Sequence, residues 1–391
     1  MKGRWFMSQV PSYTELYAFY QDGLQEYLRD LQMLVNQDSG TEYKEGVDRV
    51  ADMCIDKLAS FGCSIERIPS EVYGDAIIAK VEASSKRKVI LIGHMDTVYP
   101  KGTAELRPFT IEGEYAYGPG VADMKSGLLL GIYTLRLCKH IVKNLDREVV
   151  MVLNSDEEVG SPFSAEIIRN EAKGATAAFV LEPGRPRSSV VVARKGVYNY
   201  ELIAKGRSAH AGANPRDGRN AIVALAKAIT EIAQWDKYPK GVTINAGTIS
   251  GGTKPNVVPD FASAYLDVRV RRTADLETVE EHFAQISERL SKDGVNVHFH
   301  RVGSCFPPME PSEGNRRLYE LAKDLAQEIG FKLGAVETGG ASDANNIAMM
   351  GVPVLDGLGP VGEKAHSPEE RMFVPSIAER GALLSSLILR V

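Results

Sequence analysis

Over the first stretch of the chain, Leu16, Phe19, Tyr20, Leu24, Leu28, Leu31 and Leu34 recur at helical spacings, which predicts one amphipathic helix over 13–36. A turn at Gln37-Asp-Ser-Gly-Thr41 ends it, and a second helix is predicted from Tyr43 to Phe61, closed by Gly62. The period then shortens. Cys63–Ile68 and Asp75–Val81 read as strands, and Val89-Ile-Leu-Ile-Gly is apolar without alternation, as in a strand buried on both faces. That strand stops at His94; two further strands, Arg147–Leu153 and Ala177–Leu181, run into Asp156-Glu157-Glu158 and Glu182. Between them, Met124 to Leu137 is apolar nearly all round, a buried helix starting beside Asp123. Three strands that end in acids or a histidine predict one crevice at the carboxyl edge of a parallel sheet.

The pattern changes from about Lys195 to His300: strand 196–204, helix 218–235, strands 242–249 and 262–270, helix 275–290, strand 295–301. This β-α-β-β-α-β order is the split, ferredoxin-like arrangement and reads as an insert. A helix over 318–329, then Gly339-Gly-Ala-Ser-Asp343 and Gly351-Val-Pro-Val-Leu355, resume the earlier style. The expected fold is α/β: a mixed, mostly parallel sheet flanked by helices (residues 1–194 and 306–391), interrupted by an α+β domain over 195–305.

Composition narrows the function classes. At 391 residues, 44% hydrophobic and 25% charged, the chain has enough apolar surface for two cores. A net charge of −5 lacks the basic footprint of a nucleic-acid binder. The run Met1–Met7 has no apolar signal core, and no stretch approaches the ~18 apolar residues of a membrane span, so a cytoplasmic protein is expected. Cys54, Cys63, Cys138 and Cys305 show no metal or redox spacing and are expected to be packing residues.

The candidate chemistry lies at the predicted crevice. His94, Asp123, Glu157, Glu158, Glu182 and the distant His366 are nitrogen and oxygen donors suited to zinc or a related divalent ion. Two histidines and three carboxylates serve two ions when one carboxylate bridges, which leaves one glutamate of the set free. Two ions ~3.5–4 Å apart acidify a water and polarise a carbonyl, and a nearby carboxylate carries protons. Glu157 and Glu158, adjacent in a loop, point in different directions and so can divide these tasks between them. Asp96, two residues after His94 in extended chain, is placed to orient the imidazole.

Gly93-His-Met-Asp-Thr-Val, Gly118-Pro-Gly-Val-Ala-Asp-Met-Lys-Ser-Gly, Asp156-Glu-Glu-Val-Gly, Glu182-Pro, Ser208-Ala-His-Ala-Gly212 and Ala365-His-Ser, in this order, span nearly the whole chain. Together they resemble the zinc exopeptidase and amidohydrolase family of aminoacylases, succinyl-diaminopimelate desuccinylases, acetylornithine deacetylases and glutamate carboxypeptidases. The resemblance implies that His94 and Glu182 hold one zinc, Glu158 and His366 the other, that Asp123 bridges them, and that Glu157 is the general base. It also implies a cis peptide at Asp123–Met124, an oxyanion-stabilising role for His210, and substrate contacts from Asn256, Arg269 and Gly340 of the glycine-rich loop. Two zinc ions per subunit, replaceable by cobalt or manganese, and a homodimer built on a lid and dimerisation domain are implied too.

The expected activity is hydrolysis of the amide bond of an N-acyl amino acid or peptide with a free C-terminal carboxylate, with a small molecule as substrate. Glutamate carboxypeptidases of the family often carry an arginine soon after the insert, where this chain reads Ser304-Cys-Phe-Pro-Pro-Met309; Arg194 and Lys195 are the candidates to replace it. An N-acyl-amino-acid deacylase uses the same metals and base. A metal-dependent dimeric binding protein without catalysis is the alternative from another class, and the presence of Glu157 argues against it.

Overall fold

The computed structural model describes residues 11–83, 85–140, 145–186 and 188–391, so the N-terminal run Met1–Met7 lies outside the described residues. The chain forms two compact units: one runs up to Ala193 and adds Pro311–Thr338 and Ser342–Val391, and the other comprises Arg194–Glu310 with Gly339–Ala341.

The first unit is built on a six-stranded sheet ordered Ser64–Ile68, Ala76–Val81, Glu148–Asn154, Lys88–His94, Ala177–Val180, Val354–Leu355. The first two pairings are antiparallel and the other three parallel, giving a mixed, mostly parallel sheet. In the centre His94 lies opposite Asn154. Val89, Leu91, Val149, Met151 and Phe179 join the core shared with the helix Ser126–His140. Ile90, Ile92, Val150 and Val152 are buried on the opposite face, which explains why these strands read as unbroken apolar runs.

The helix approaches the sheet closely because its second residue is glycine: a Cβ at Gly127 would sit 1.8 Å from the Leu181 carbonyl oxygen. The predicted helix over 13–36 is in fact two, Tyr13–Asp22 and Leu24–Val35, which meet at Gly23. Glycine is a poor helix former, and the break lets Tyr20 reach Thr134 and Ser385 (2.8 Å each) while Tyr27 donates to the Ser126 carbonyl.

A second, small antiparallel sheet was not expected from the sequence. Its strands, in order, are Gly362–Glu363, Arg371–Phe373, Tyr115–Tyr117 and Thr110–Glu112. Arg371 pairs with Tyr117 and Phe373 with Tyr115, so the segment carrying His366 is tied to the one leading into Asp123.

In the second unit the strand order is Thr243–Gly251, Phe261–Val270, Gly196–Lys205, Asn296–Phe306, with every pairing antiparallel. The helices Ala221–Gln234 and Thr273–Ser291 complete the split β-α-β-β-α-β order. Tyr198, Tyr200, Leu202, Leu266, Val268, Phe283 and Ile286 belong to a core of its own. Thr243–Gly251 is an edge strand and almost wholly exposed. Cys54 and Cys138 are buried and Cys63 half-buried, but Cys305, expected to pack, is exposed because it falls on the outward face of a half-buried strand. No helix among the described residues is long and apolar enough to cross a membrane.

Candidate metal centre

His94 ends its strand almost fully buried. One ring nitrogen, Nδ1, lies 2.9 Å from the Asp96 carbonyl oxygen and 3.4 Å from its carboxylate. The other, Nε2, lies 3.2 Å from Asp123 Oδ1 and 3.6 Å from Glu182 Oε1. The Asp96 carboxylate does more than face the ring: it accepts from the Thr41 hydroxyl (2.7 Å) and from the backbone N–H groups of Glu157 and Glu158 (3.2 Å each). It therefore fixes the backbone of the acidic pair.

The strand Glu148–Asn154 delivers that pair on a single tight turn, Glu157–Val159. Asp156, buried beside it, accepts from the Phe163 and Ser164 N–H groups and the Ser164 hydroxyl, which stops the turn from unwinding. Glu157 shares one cluster with His94 and Glu182; Asp123 and Glu158 form another with His94, ligand atoms in each lying within 4.8 Å of one another.

Asp123 follows a left-handed Gly120, and its peptide to Met124 is cis. Its Oδ1 faces His94 while its Oδ2 lies 3.2 Å from His366 Nε2, which is also 3.3 Å from Glu158 Oε2. A single carboxylate thus spans two imidazoles. His366 reaches this position with a left-handed backbone, φ 61°, in the connection between two paired strands of the small sheet, Gly362–Glu363 and Arg371–Phe373.

Charge sharpens the picture. Burial lifts the Glu157 carboxyl well above the ordinary range, with Glu182 and Glu158 adding to the push against His94; burial also raises Glu158. Burial would raise Asp123 too, but His366 and His94 hold it far below the ordinary value. The Asp123 carboxylate, followed by Glu158, pushes His366 up to about 10. Glu158 Oε1 is buried with no hydrogen-bond partner. Four carboxylates gathered on two imidazoles, with one oxygen left without a donor, fit divalent cations bound by nitrogen and oxygen.

In the second unit, His210 and Asn256 stand side by side: the Ala211 N–H donates to the Asn256 carbonyl at 3.0 Å, and His210 bridges Val257. His210 Nδ1 accepts from the N–H groups of Gly212 and Ala213 (3.1 Å each), which leaves Nε2 to carry the proton of the neutral ring. Arg269 is already engaged. Its Nε and Nη2 donate to Asp267 (2.9 and 3.1 Å), and its Nη1 donates to the Gly339 carbonyl (2.9 Å). Arg194, nearly buried, donates to the carbonyls of Gly340 and Ala341, so two arginines grip the glycine-rich loop.

Two residues passed over in the sequence belong to the first unit's centre: Thr41, through Asp96, and Glu370, which accepts from backbone N–H groups beside Asp123. Hydrogen bonds to backbone or hydroxyl groups leave no spacing pattern to read. For Glu370 the one available signal is its place four residues after His366.

The model of the peptidase family M20/M25/M40 matches residues 90–390. Carboxypeptidase G2 of a Pseudomonas species is 32% identical over 371 residues, 93% of this chain and 88% of that protein. A succinyl-diaminopimelate desuccinylase of Xanthomonas oryzae is 28% identical over 326 residues, 78% of this chain and 83% of the relative. Among solved structures, aminopeptidase PepT of Bacillus cereus has the same fold, with a TM-score of 0.77 at 24% identity over 93% of this chain and 98% of the other. With a family model covering most of its length and donors gathered where the sequence motifs fall, this chain belongs to the peptidase family M20/M25/M40, as a metal-dependent hydrolase of peptide or amide bonds.

Proposed function

We propose that the protein is a di-zinc hydrolase that cleaves the amide bond of an N-acyl amino acid or peptide beside a free carboxylate, in the manner of a glutamate carboxypeptidase. The observation that carries this reading is Asp123, whose two oxygens face His94 and His366 separately. In it, His94 and Glu182 hold one ion, Glu158 and His366 the other, and Asp123 bridges. When bound, the ions supply Lewis acidity to the scissile carbonyl and acidify a water. Glu157, beside His94 and Glu182, is the general base: it takes a proton from the attacking water and passes it to the leaving amine. His210 offers an Nε2–H donor to the developing oxyanion, and Asn256 lies beside it to contact substrate.

The second unit carries a group of cations, Lys195, Arg269 and Arg271, of the kind that suits a carboxylate. Lys195 has its pKa lowered by burial and then by neighbouring Arg269 and Arg271, the mark of crowded cations. Because Arg269 is committed to Asp267 and Gly339, its part is to hold the loop around Gly340 in place. The same unit also pairs two copies into a homodimer through its exposed edge strand Thr243–Gly251. The likeness to succinyl-diaminopimelate desuccinylases keeps N-acyl-amino-acid deacylation as the second reading.

Turnover on a panel of acyl-glutamates, acetyl-amino acids and dipeptides, before and after chelation and zinc add-back, tests both. The expected outcome is zinc-dependent release of a C-terminal amino acid, greatest with acyl-glutamates. Preference for acetyl-amino acids would favour the deacylase reading, and turnover unaffected by chelation would count against the metal centre.

A further inference from the structure

Glu370 is a buried carboxylate, 1% exposed, four residues after His366. Its Oε1 accepts from the N–H groups of Ala122 and Asp123, at 2.9 Å each. Its Oε2 accepts from the Tyr99 hydroxyl at 2.7 Å and the Gly120 N–H at 3.1 Å. Four donors thus converge on one side chain, three of them successive or near-successive backbone groups of the loop that carries Asp123.

Tyr99 extends the arrangement to the other partner. Its hydroxyl also lies 2.9 Å from the carbonyl of Ser367, the residue after His366. Arg107 stacks on the Tyr99 ring, 4.7 Å from its centre, and reaches the same carbonyl at 3.4 Å. Immediately after Glu370 the chain enters the small sheet, where Arg371 pairs with Tyr117. Glu370 therefore fastens the backbone of Asp123 to the segment that presents His366, whereas His94 and Glu182 are delivered by strands of the main sheet.

A buried carboxylate is retained at a large desolvation cost unless its oxygens are fully hydrogen-bonded, as here. The four donors also dictate its chemistry. Glutamine would turn an NH2 group toward the Gly120 N–H or toward the Ala122 and Asp123 pair, donor against donor, and aspartate would stop a methylene short.

We propose that Glu370 is a positioning residue for the metal centre: by setting the Asp123 backbone against His366, it determines the affinity of the half of the centre formed by Asp123, Glu158 and His366. This rests on the reading that those residues hold an ion. Glu370 itself touches neither substrate nor metal in this account, and works through the two side chains it aligns.

The test is zinc titration of the metal-free protein against a competing chelator, comparing the wild type, Glu370→Gln and His366→Ala, with circular dichroism and thermal melting to establish folding. The wild type is expected to take two ions. Folded Glu370→Gln is expected to keep one near wild-type affinity and to bind the other about 10–100-fold more weakly, the usual effect of losing a partner behind a ligand, the weakened ion being the one His366→Ala loses. Activity of Glu370→Gln should climb back toward wild type as zinc is raised. A folded variant that binds both ions as the wild type does, or that weakens both equally, overturns the proposal. A wild-type protein that binds no zinc instead removes the metal reading beneath it. If Glu370→Gln does not fold, Tyr99→Phe decides, since it deletes one donor and keeps the carboxylate: several-fold weakening of the same ion supports the proposal, and unchanged affinity overturns it.

Discussion

At the residue scale, Glu157 and Glu158 show how neighbours acquire different work. Both are raised by burial, but Glu158 faces His366 at 3.3 Å while Glu157 sits with His94 and Glu182. Glu157→Gln should therefore leave zinc content and folding nearly intact while kcat falls by ~10²–10⁴, the range for a lost positioned base. Metal analysis of the purified variant beside its turnover checks this; zinc lost from Glu157→Gln but kept by Glu158→Ala would reverse the two roles. His94, Glu157, Glu158 and Glu182 were legible because they lie at or just after the ends of apolar strands, and Asp123 and His366 through the motifs around them. Asp96 was legible only in part: its place beside His94 follows from the two-residue period of a strand, but its grip on the Glu157 and Glu158 N–H groups does not.

At the element scale, long apolar runs were readable and short strands were not. Lys88–His94 and Ser126–His140 are buried along nearly their whole length, and burial on that scale writes itself into composition. The strands Tyr115–Tyr117 and Arg371–Phe373 have three residues each, too few to establish a period, although they tie His366 to the Asp123 loop. Gly23 was hidden for the opposite reason: apolar residues continue at helical spacing on both sides of the break. The packing of Ser126–His140 on the sheet makes a sharper claim. A Cβ at Gly127 would collide with the Leu181 carbonyl, a backbone atom that cannot swing aside, and Leu181 precedes Glu182. Gly127→Ala should thus cost on the order of 1–3 kcal/mol, as overpacking does, and lower zinc content as well. Denaturant melts and metal analysis check both, and an unchanged midpoint would mean that the helix can shift without loss.

At the scale of the whole molecule, two hydrophobic cores with no shared residues divide the work, one beneath the metal centre and one under the antiparallel sheet of the inserted unit. The change of architecture near residue 195 was legible in the order of strands and helices, whereas the place of Gly339–Ala341 in the second unit was not, because three loop residues carry no period. Thr243–Gly251 is one edge of that unit's sheet, with Ile249 64% exposed on it and Tyr265 51% exposed on the neighbouring strand. Sedimentation at micromolar concentration should show a dimer, and Ile249→Lys, which puts a charge on the edge, should shift it toward monomer. A monomeric wild type would count against pairing. The small sheet has one more consequence, and it concerns time. Ala122 and Glu370 are bonded across 248 residues, so that the strand Arg371–Phe373 and His366 are made long after Asp123. At ~5–20 residues per second, synthesis leaves Asp123, Glu157 and Glu182 waiting for roughly ten seconds or more without their last partner. The growing chain would hold an incomplete donor set throughout that interval, and could complete its centre only once His366 has been made.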